Sequence, residues 1–380
     1  MLIAVIGGKL QGLEAVYLAQ KASYQTLVID KNPDAPAAKL CDQFMEFEFS
    51  SDNLFPFYGS KIDLIIPAIE DKIVLAAIKT WAQTDNIPLA FDIDAYLLSS
   101  SKIKSDTLFQ KMCLPAPRHW PDCSFPVVLK PDQASGSQGV EIIDNPTYFS
   151  SRFPTRLQME GMIVQEFLEG TSSSIEILGR PGNYHAIQVT DLGMDEDYDC
   201  KKVTTPTQLS KQYINQFTEI AVAIAEKIKL FGIMDVEVIL HQNRLKLLEI
   251  DARLPSQTPI AVYWSTGINM VKLLVDLFVK KSLNPSPKHE RSVIVEHIKV
   301  CDSKIEFLGE HIMGQDGPLV LISNFFGANE AITSFEGGKH QWVSTMIFSG
   351  ASHDEINIKR EACYKKIIEH SKNFIGESVN

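Results

Sequence analysis

Two alternating runs limit most strongly what this chain can become. They are Asp235-Val236-Glu237-Val238-Ile239-Leu240 and, after a polar turn from His241 to Arg244, Leu245-Lys246-Leu247-Leu248-Glu249-Ile250-Asp251-Ala252-Arg253. Strand alternation puts Asp235 with Glu237 on one face of the first run, and Glu249 with Asp251 on one face of the second. A three-residue turn around Asn243 sets Glu237 opposite Glu249 and Asp235 opposite Asp251, with facing Cα atoms about 4.5–5.5 Å apart. A two-residue turn would slip the register by one and scatter the acids to opposite faces. Four carboxylates on one surface repel, so the natural partner is a hard divalent cation with oxygen ligands, Mg²⁺ on nucleotide phosphates above all. Arg253 then faces the same phosphates, where it can stabilise charge that develops during transfer. The plain alternative is a solvated acidic hairpin.

A second feature supports a nucleotide. Pro126-Val127-Val128-Leu129-Lys130-Pro131 ends an apolar strand on a lysine, directly before Gln133-Ala134-Ser135-Gly136-Ser137-Gln138-Gly139-Val140. Small residues let a backbone fold over phosphate oxygens while the lysine neutralises their charge. No Gly-Lys-Ser/Thr follows the glycines, so this is not a Walker A loop. Val164-Gln165-Glu166-Phe167-Leu168-Glu169-Gly170 reads as a strand edge, which offers a purine one carbonyl and one amide. The N-terminal Gly7-Gly8-Lys9-Leu10-Gln11-Gly12 sits between a strand and a helix where a dinucleotide fingerprint would lie, but Lys9 occupies the place of its second glycine. A tight turn closed by Asp30 and a small-molecule contact both remain open for it.

These features punctuate an α/β pattern over 380 residues. Strands at 2–6, 26–30, 62–67 and 88–91 alternate with helices at 13–21 and 72–83. A lysine-rich helix spans 102–112 and a proline linker 114–117. The helix 212–230, the strands 232–240 and 245–251, and the helix 270–281 follow. Asn284-Pro285-Ser286-Pro287 marks a second boundary, before strands at 293–300 and 319–325 and a last helix. A net charge of −11 argues against a coat for nucleic acid or an anionic membrane. The six cysteines lie far apart without metal spacing and read as reduced thiols. No run approaches the ~20 apolar residues of a membrane span, and the first residues carry no basic leader, so a cytoplasmic protein is expected.

In this order, Lys130 with its glycine-serine loop, Glu166-Phe167-Leu168, Glu237 and Glu249-Ile250-Asp251-Ala252-Arg253 resemble the ATP-grasp superfamily, whose last motif is Glu-Ile-Asn-Pro-Arg. Ser265-Thr266-Gly267-Ile268-Asn269 is similar to the segment that opens the next helix in biotin carboxylase. The resemblance implies an ATP-grasp fold in three parts. These are a Rossmann-like pre-ATP-grasp domain at 1–98, an ATP-grasp domain at 99–292 with a small lid at about 113–168, and an α+β portion at 293–380 that completes the core. It implies ATP held by Lys102 or Lys104, Lys130, Ser135, Gly136, Ser137, Gly139 and the Glu166–Leu168 backbone. Glu169 or Glu176 would meet the ribose, because the usual position falls on Ser172. Two Mg²⁺ would be bound by Glu237, Glu249 and Asp251, the last in place of asparagine, and Arg253 and Lys130 would be catalytic.

The whole chain further resembles the ligase family of pyrrolysine biosynthesis, which joins 3-methylornithine to the ε-amine of lysine. Gly7 to Gly12, Pro67-Ala68-Ile69-Glu70-Asp71-Lys72, Leu254-Pro255-Ser256-Gln257-Thr258-Pro259 and Ser323-Asn324-Phe325-Phe326-Gly327 carry that likeness. Two diamino acids need acids for their ammonium ends and donors for the carboxylate that is not activated. Gln11, Glu70, Asp71, Lys72, Asp235, Arg253, Ser256 and Asp302 are the candidates. The implied partners are small molecules, with no nucleic acid and no membrane; the oligomeric state, a homodimer included, stays open. A different ATP-grasp ligase or carboxylase, a nicotinamide oxidoreductase and a nucleotide-binding module without turnover are the rival readings.

Overall fold

The computed structural model describes residues 1–50, 61–133, 136–154, 160–337 and 339–377. The N-terminal apolar runs form a parallel sheet of β1 (Leu2–Ile6), β2 (Gln25–Asp30), β3 (Gln43–Glu46) and β4 (Leu64–Pro67) in the order β3-β2-β1-β4. Continuous Leu, Ile and Val suit strands covered on both faces, here by α1 (Leu10–Lys21) and α2 (Lys72–Thr84). The loop after β1 is a tight turn: a Cβ on Gly12 would stand 2.0 Å from the Gly7 carbonyl oxygen, and Gly8 donates its amide to Asp30 Oδ2 at 2.6 Å. The strand expected at 88–91 is only a bridge from Leu89 to Ile65. Pro88 has no amide for a ladder, and Asp92 accepts from the Ala95 amide at 3.0 Å to start α3 (Ile93–Ser99).

Ser101 caps α4 (Lys102–Lys111), and the proline linker then leads to a separate three-stranded sheet. It consists of β5 (Val127–Pro131), β6 (Glu141–Ile143) and β7 (Met162–Glu166) in the order β6-β5-β7, with α5 (Pro146–Arg152) beside it. The rest of the chain builds one ten-stranded sheet. Its strands are β8 (Thr171–Arg180), β9 (Asn183–Met194), β10 (Cys200–Thr205), β11 (Gly232–His241), β12 (Arg244–Asp251), β13 (Ser292–Cys301), β14 (Lys304–Phe307), β15 (Val320–Ser323), β16 (Glu330–Thr333) and β17 (Gln341–Gly350). The order is β12-β11-β8-β9-β10-β13-β17-β16-β15, with β14 on β13. Because β10 pairs with β13, the sheet runs unbroken across residue 292.

The amphipathic α6 (Lys211–Ile228) buries Phe217, Ala221 and Ile224 against this sheet, while α7 (Thr258–Thr266) and α8 (Met270–Phe278) bury most of their length. The short α9 (His311–Gln315) and the long α10 (His353–Glu377) complete the chain. Among the described residues no single helix is long and apolar enough to cross a membrane; α7 and α8 pass that test only as a pair bent by 94°.

Candidate active site

The hairpin of β11 and β12 pairs Asp235 with Asp251 and Glu237 with Glu249, but not through the expected three-residue turn. His241 pairs with Arg244, so the turn has two residues, Gln242 and Asn243, both at positive φ (47° and 60°) as a type I′ turn demands. On its own that turn would have scattered the acids. A bulge corrects it: Val238 pairs with Leu247 and Glu237 with Glu249, leaving Leu248 as the extra residue. Leu245, Leu247, Ile250 and Ala252 point into the core, whereas Leu248, Glu249 and Asp251 line a cavity of about 710 Å³. The apolar spacing slips by one between Leu247 and Ile250, and that slip was the readable sign of the bulge.

Two lysines reach this cavity from different elements. Lys130 at the end of β5 is buried, and Lys102 on the first turn of α4 stands 3.4 Å from Glu249 Oε2. Asp132 brings them together, accepting from the Ser101 hydroxyl at 2.8 Å and the Ile103 amide at 2.9 Å, which docks the end of β5 on the start of α4. Lys104, the other lysine of the pair, turns away and donates to the Leu97 carbonyl at 3.2 Å. Arg253 stands 2.8 Å from Asp251 Oδ2 and 3.0 Å from Glu70 Oε1, and Gln11 donates to the same Glu70 oxygen at 3.2 Å. The N-terminal sheet therefore contributes directly to the arginine's setting.

Gln11 and Glu70 reach the site only through Arg253, and three further substrate candidates are brought neither to the cavity nor to that arginine. The Asp71 carboxylate caps α2 by accepting from the amides of Ile73 and Val74. Lys72 pairs with Gln133 Oε1 at 2.9 Å on the surface. Asp302 sits at φ +53° in the exposed turn between β13 and β14. A helix start and a tight strand connection favour Asp71 and Asp302, which is why they resemble ligands in a sequence. Ser256 and Asp235 do line the cavity. Ser174 donates a hydrogen bond to Asp235, whose carboxyl burial pushes up to about 7.

At the other end, Glu166, Phe167, Leu168 and Glu169 line the cavity with Val128, Ile142 and Leu248, three apolar residues that the motifs did not single out. The Glu166 side chain is engaged by Arg118 Nε at 3.0 Å and Lys246 Nζ at 2.9 Å, and the amides of Glu166 and Phe167 donate to the Arg118 and Pro126 carbonyls at 2.8 and 3.2 Å, so this edge is pinned at the mouth of the cavity. Glu176 cannot meet a ribose. It is fully buried beside Asp235 on β8, where burial and that neighbour raise its carboxyl to about 8. Gly136 and Ser137 line the cavity, and Ser137 donates to the Tyr198 carbonyl at 2.7 Å, while Gly139 packs back towards Pro131. Ser135 lies outside the described residues.

The electrostatics fit a cation and a polyanion together. Burial and the facing Glu249 push Glu237 well above the usual carboxylate range, and burial raises Asp251 to about 6 in spite of Arg253. Burial also works against Glu249, but Lys102 and Lys130 outweigh it and hold that carboxyl low. Burial lowers the Lys130 ammonium, and a phosphate beside it would push it back up. Glu237, Glu249 and Asp251 offer carboxylate oxygens of the kind a magnesium ion shares with nucleotide phosphates.

Two family models match the chain: an ATP-grasp domain over residues 99–257 and a PylC-like N-terminal domain over residues 3–90. A 3-methyl-D-ornithine--L-lysine ligase of Methanosarcina mazei is 33% identical over 94% of this chain and 93% of that protein. Its counterpart from Methanosarcina acetivorans is 35% identical over 94% and 95%. Among solved structures, the N5-carboxyaminoimidazole synthetase of Staphylococcus aureus complexed with ADP aligns with TM-score 0.70 at 15% identity over 96% of both chains. The L-amino acid ligase of Bacillus licheniformis aligns with TM-score 0.66 at 16% identity over 95% of this chain and 96% of that one.

Proposed function

This chain belongs to the ATP-grasp ligases with a PylC-like N-terminal domain, the family of the 3-methyl-D-ornithine--L-lysine ligases, and from that premise we propose that it makes the same amide bond. The acid is 3-methyl-D-ornithine, the amine is the ε-amine of lysine, and the product lies on the way to pyrrolysine in the cytoplasm. A carboxylate oxygen of the acid attacks the γ-phosphorus of ATP, the bond to the β-phosphate oxygen breaks, and ADP leaves. The amine nitrogen then attacks the acyl carbon of the resulting acyl phosphate, the carbon–oxygen bond breaks, and phosphate leaves as the nitrogen gives up a proton. No nucleophilic side chain takes part. The protein supplies positioning and charge.

Adenine rests between Val128, Ile142 and Leu248 against the Glu166–Leu168 backbone, with Glu169 towards the ribose. Lys102 and Lys130 hold phosphate oxygens beneath the Gly136–Ser137 flap. Glu237, Glu249 and Asp251 are the residues that would hold magnesium, two ions in this reading, which draws charge off the β- and γ-phosphates when bound. Arg253, steadied by Asp251 and Glu70, faces the acyl phosphate, and Asp235 accepts from the amine. One observation carries the reading: two adjacent strands bring four carboxylates and the arginine that follows them to one cavity that two lysines enter from elsewhere. Measuring ADP release tests it. Release that needs both the ornithine-type acid and lysine, with an isopeptide product, is expected. Release with bicarbonate alone would make the protein a carboxylase and end this proposal.

A further inference from the structure

Past Arg253 the cavity ends among loops that neither the nucleotide nor the magnesium residues use. We infer that Gln257 and Glu310 form a subsite there for an ammonium group of one of the two diamino-acid substrates. The inference rests on the ligase reading and adds to it the groups that select the substrate. Glu310 is fixed by three successive anchored amides. Gly309 donates to Asp195 Oδ2 at 2.8 Å, Glu310 to the Cys200 carbonyl at 3.1 Å, and His311 to Asp199 Oδ2 at 3.0 Å. A Cβ on Gly309 would stand 2.1 Å from that Asp199 oxygen, so only glycine permits the clamp. The side chains of Ser256 and Gln257 lie beside the Glu310 carboxyl, whose Oε2 is buried with no hydrogen-bond partner among the described residues.

Gln257 points to the same conclusion independently. It is 7% exposed and lines the cavity, and its Oε1 also has no partner among the described residues. Its backbone sits at φ 73°, ψ −54°, with the Thr258 amide bonded to the Ser256 carbonyl at 2.9 Å. That is the strained form of γ-turn, which persists where function requires it. Both free atoms are acceptors, so the missing ligand is a donor of several N–H groups. An anion would meet Glu310 and Asp199. A hard cation would find too few free oxygens, since Asp195 and Asp199 already accept from backbone amides and Asp199 also meets His311 Nδ1 at 2.6 Å. Burial, with Asp199 adding to it, pushes the Glu310 carboxyl up, and an ammonium would relieve both. The same loop receives Ser137 at Tyr198, so the flap closes on the elements that aim Glu310.

Steady-state ADP release with two analogue substitutions tests the subsite. D-norvaline in place of D-ornithine removes the acid's side-chain amine, and aminocaproate in place of lysine removes the amine partner's α-ammonium. In the parent protein the substitution that empties the subsite should raise KM for that substrate at least ~10-fold, as loss of a buried charged hydrogen bond does. Glu310→Gln should abolish that penalty with KM for ATP unchanged, and the arm in which it vanishes names the ammonium bound. Gln257→Gly relieves the backbone and should reduce the same penalty without lowering the melting temperature, which keeps the test alive if the first variant folds poorly. Penalties that survive intact in both variants overturn the subsite. A parent protein that releases no ADP with 3-methyl-D-ornithine and lysine overturns the ligase reading instead.

Discussion

The two ends of the cavity are built in opposite ways. At the nucleotide end, Glu237, Glu249, Asp251 and Arg253 come from one hairpin, so strand alternation and a single bulge place them. At the far end, Gln257 and Glu310 come from separate loops, the second held by amides anchored to Asp195, Asp199 and Cys200, and no periodicity relates them. A site on adjacent strands is held by the sheet whatever occupies it, whereas a site on loops needs side-chain clamps and a strained turn. Chemistry common to a fold sits on the first kind of scaffold, and substrate choice on the second.

Four changes would break or sharpen that contrast. The largest effect belongs to the hairpin: Glu249→Ala should cut kcat at least ~100-fold with every acid and amine tried, the scale at which a preorganised electrostatic group acts. An unchanged circular dichroism spectrum and melting curve would assign the loss to the site; a variant with full activity would remove Glu249 from the metal. Next, Lys102→Ala should weaken ATP binding about 10-fold by calorimetry, as expected for a charge-assisted contact, while Lys104→Ala should leave it unchanged. The reverse order would mean that α4 turns its other face to the nucleotide.

A smaller change tests the bulge. Leu248→Ala removes apolar surface at the adenine end and should raise KM for ATP roughly 5-fold, in line with about 25 cal/mol per Å² of lost contact, without touching the discrimination between amino acids. Smallest is a pH effect at Glu14, buried on α1, which accepts from the Ile260 amide at 2.6 Å and so ties the N-terminal sheet to α7 beside the loop-built end. Burial raises its carboxyl from 4.5 to about 8. The folded state therefore holds a proton that the unfolded chain gives up, and stability is lost as pH rises between those values. Glu14→Gln stays neutral throughout, so its melting temperature should gain on the parent's by a few degrees from pH 5 to pH 8. A constant difference across that range would show that Glu14 is ionised in the fold.

How much was readable follows the same division. The acid pairs were legible because side chains repeat every second residue along a strand, and Lys130 because it closes an apolar run. The turn type was not, since Gln242-Asn243 lacks the glycine that usually marks a two-residue hairpin. Lys102 and Lys104 were inseparable from composition alone; the Asp132 contact with Ser101 and Ile103 decides which face of α4 turns inward. Asp71 and Asp302 carry ligand-like side chains, but a cap and a turn account for them. Glu310 gave no signal, because its place depends on amides anchored to a loop more than a hundred positions away.

The fate of the oxygen atoms tests the central claim most directly. With heavy oxygen in the carboxylate of the acid, carboxylate activation in this cavity predicts that one labelled atom leaves in each phosphate released, and only while amide is being formed. Phosphate without label, at a rate matching amide formation, would show that no acyl phosphate passes between Arg253 and the hairpin acids.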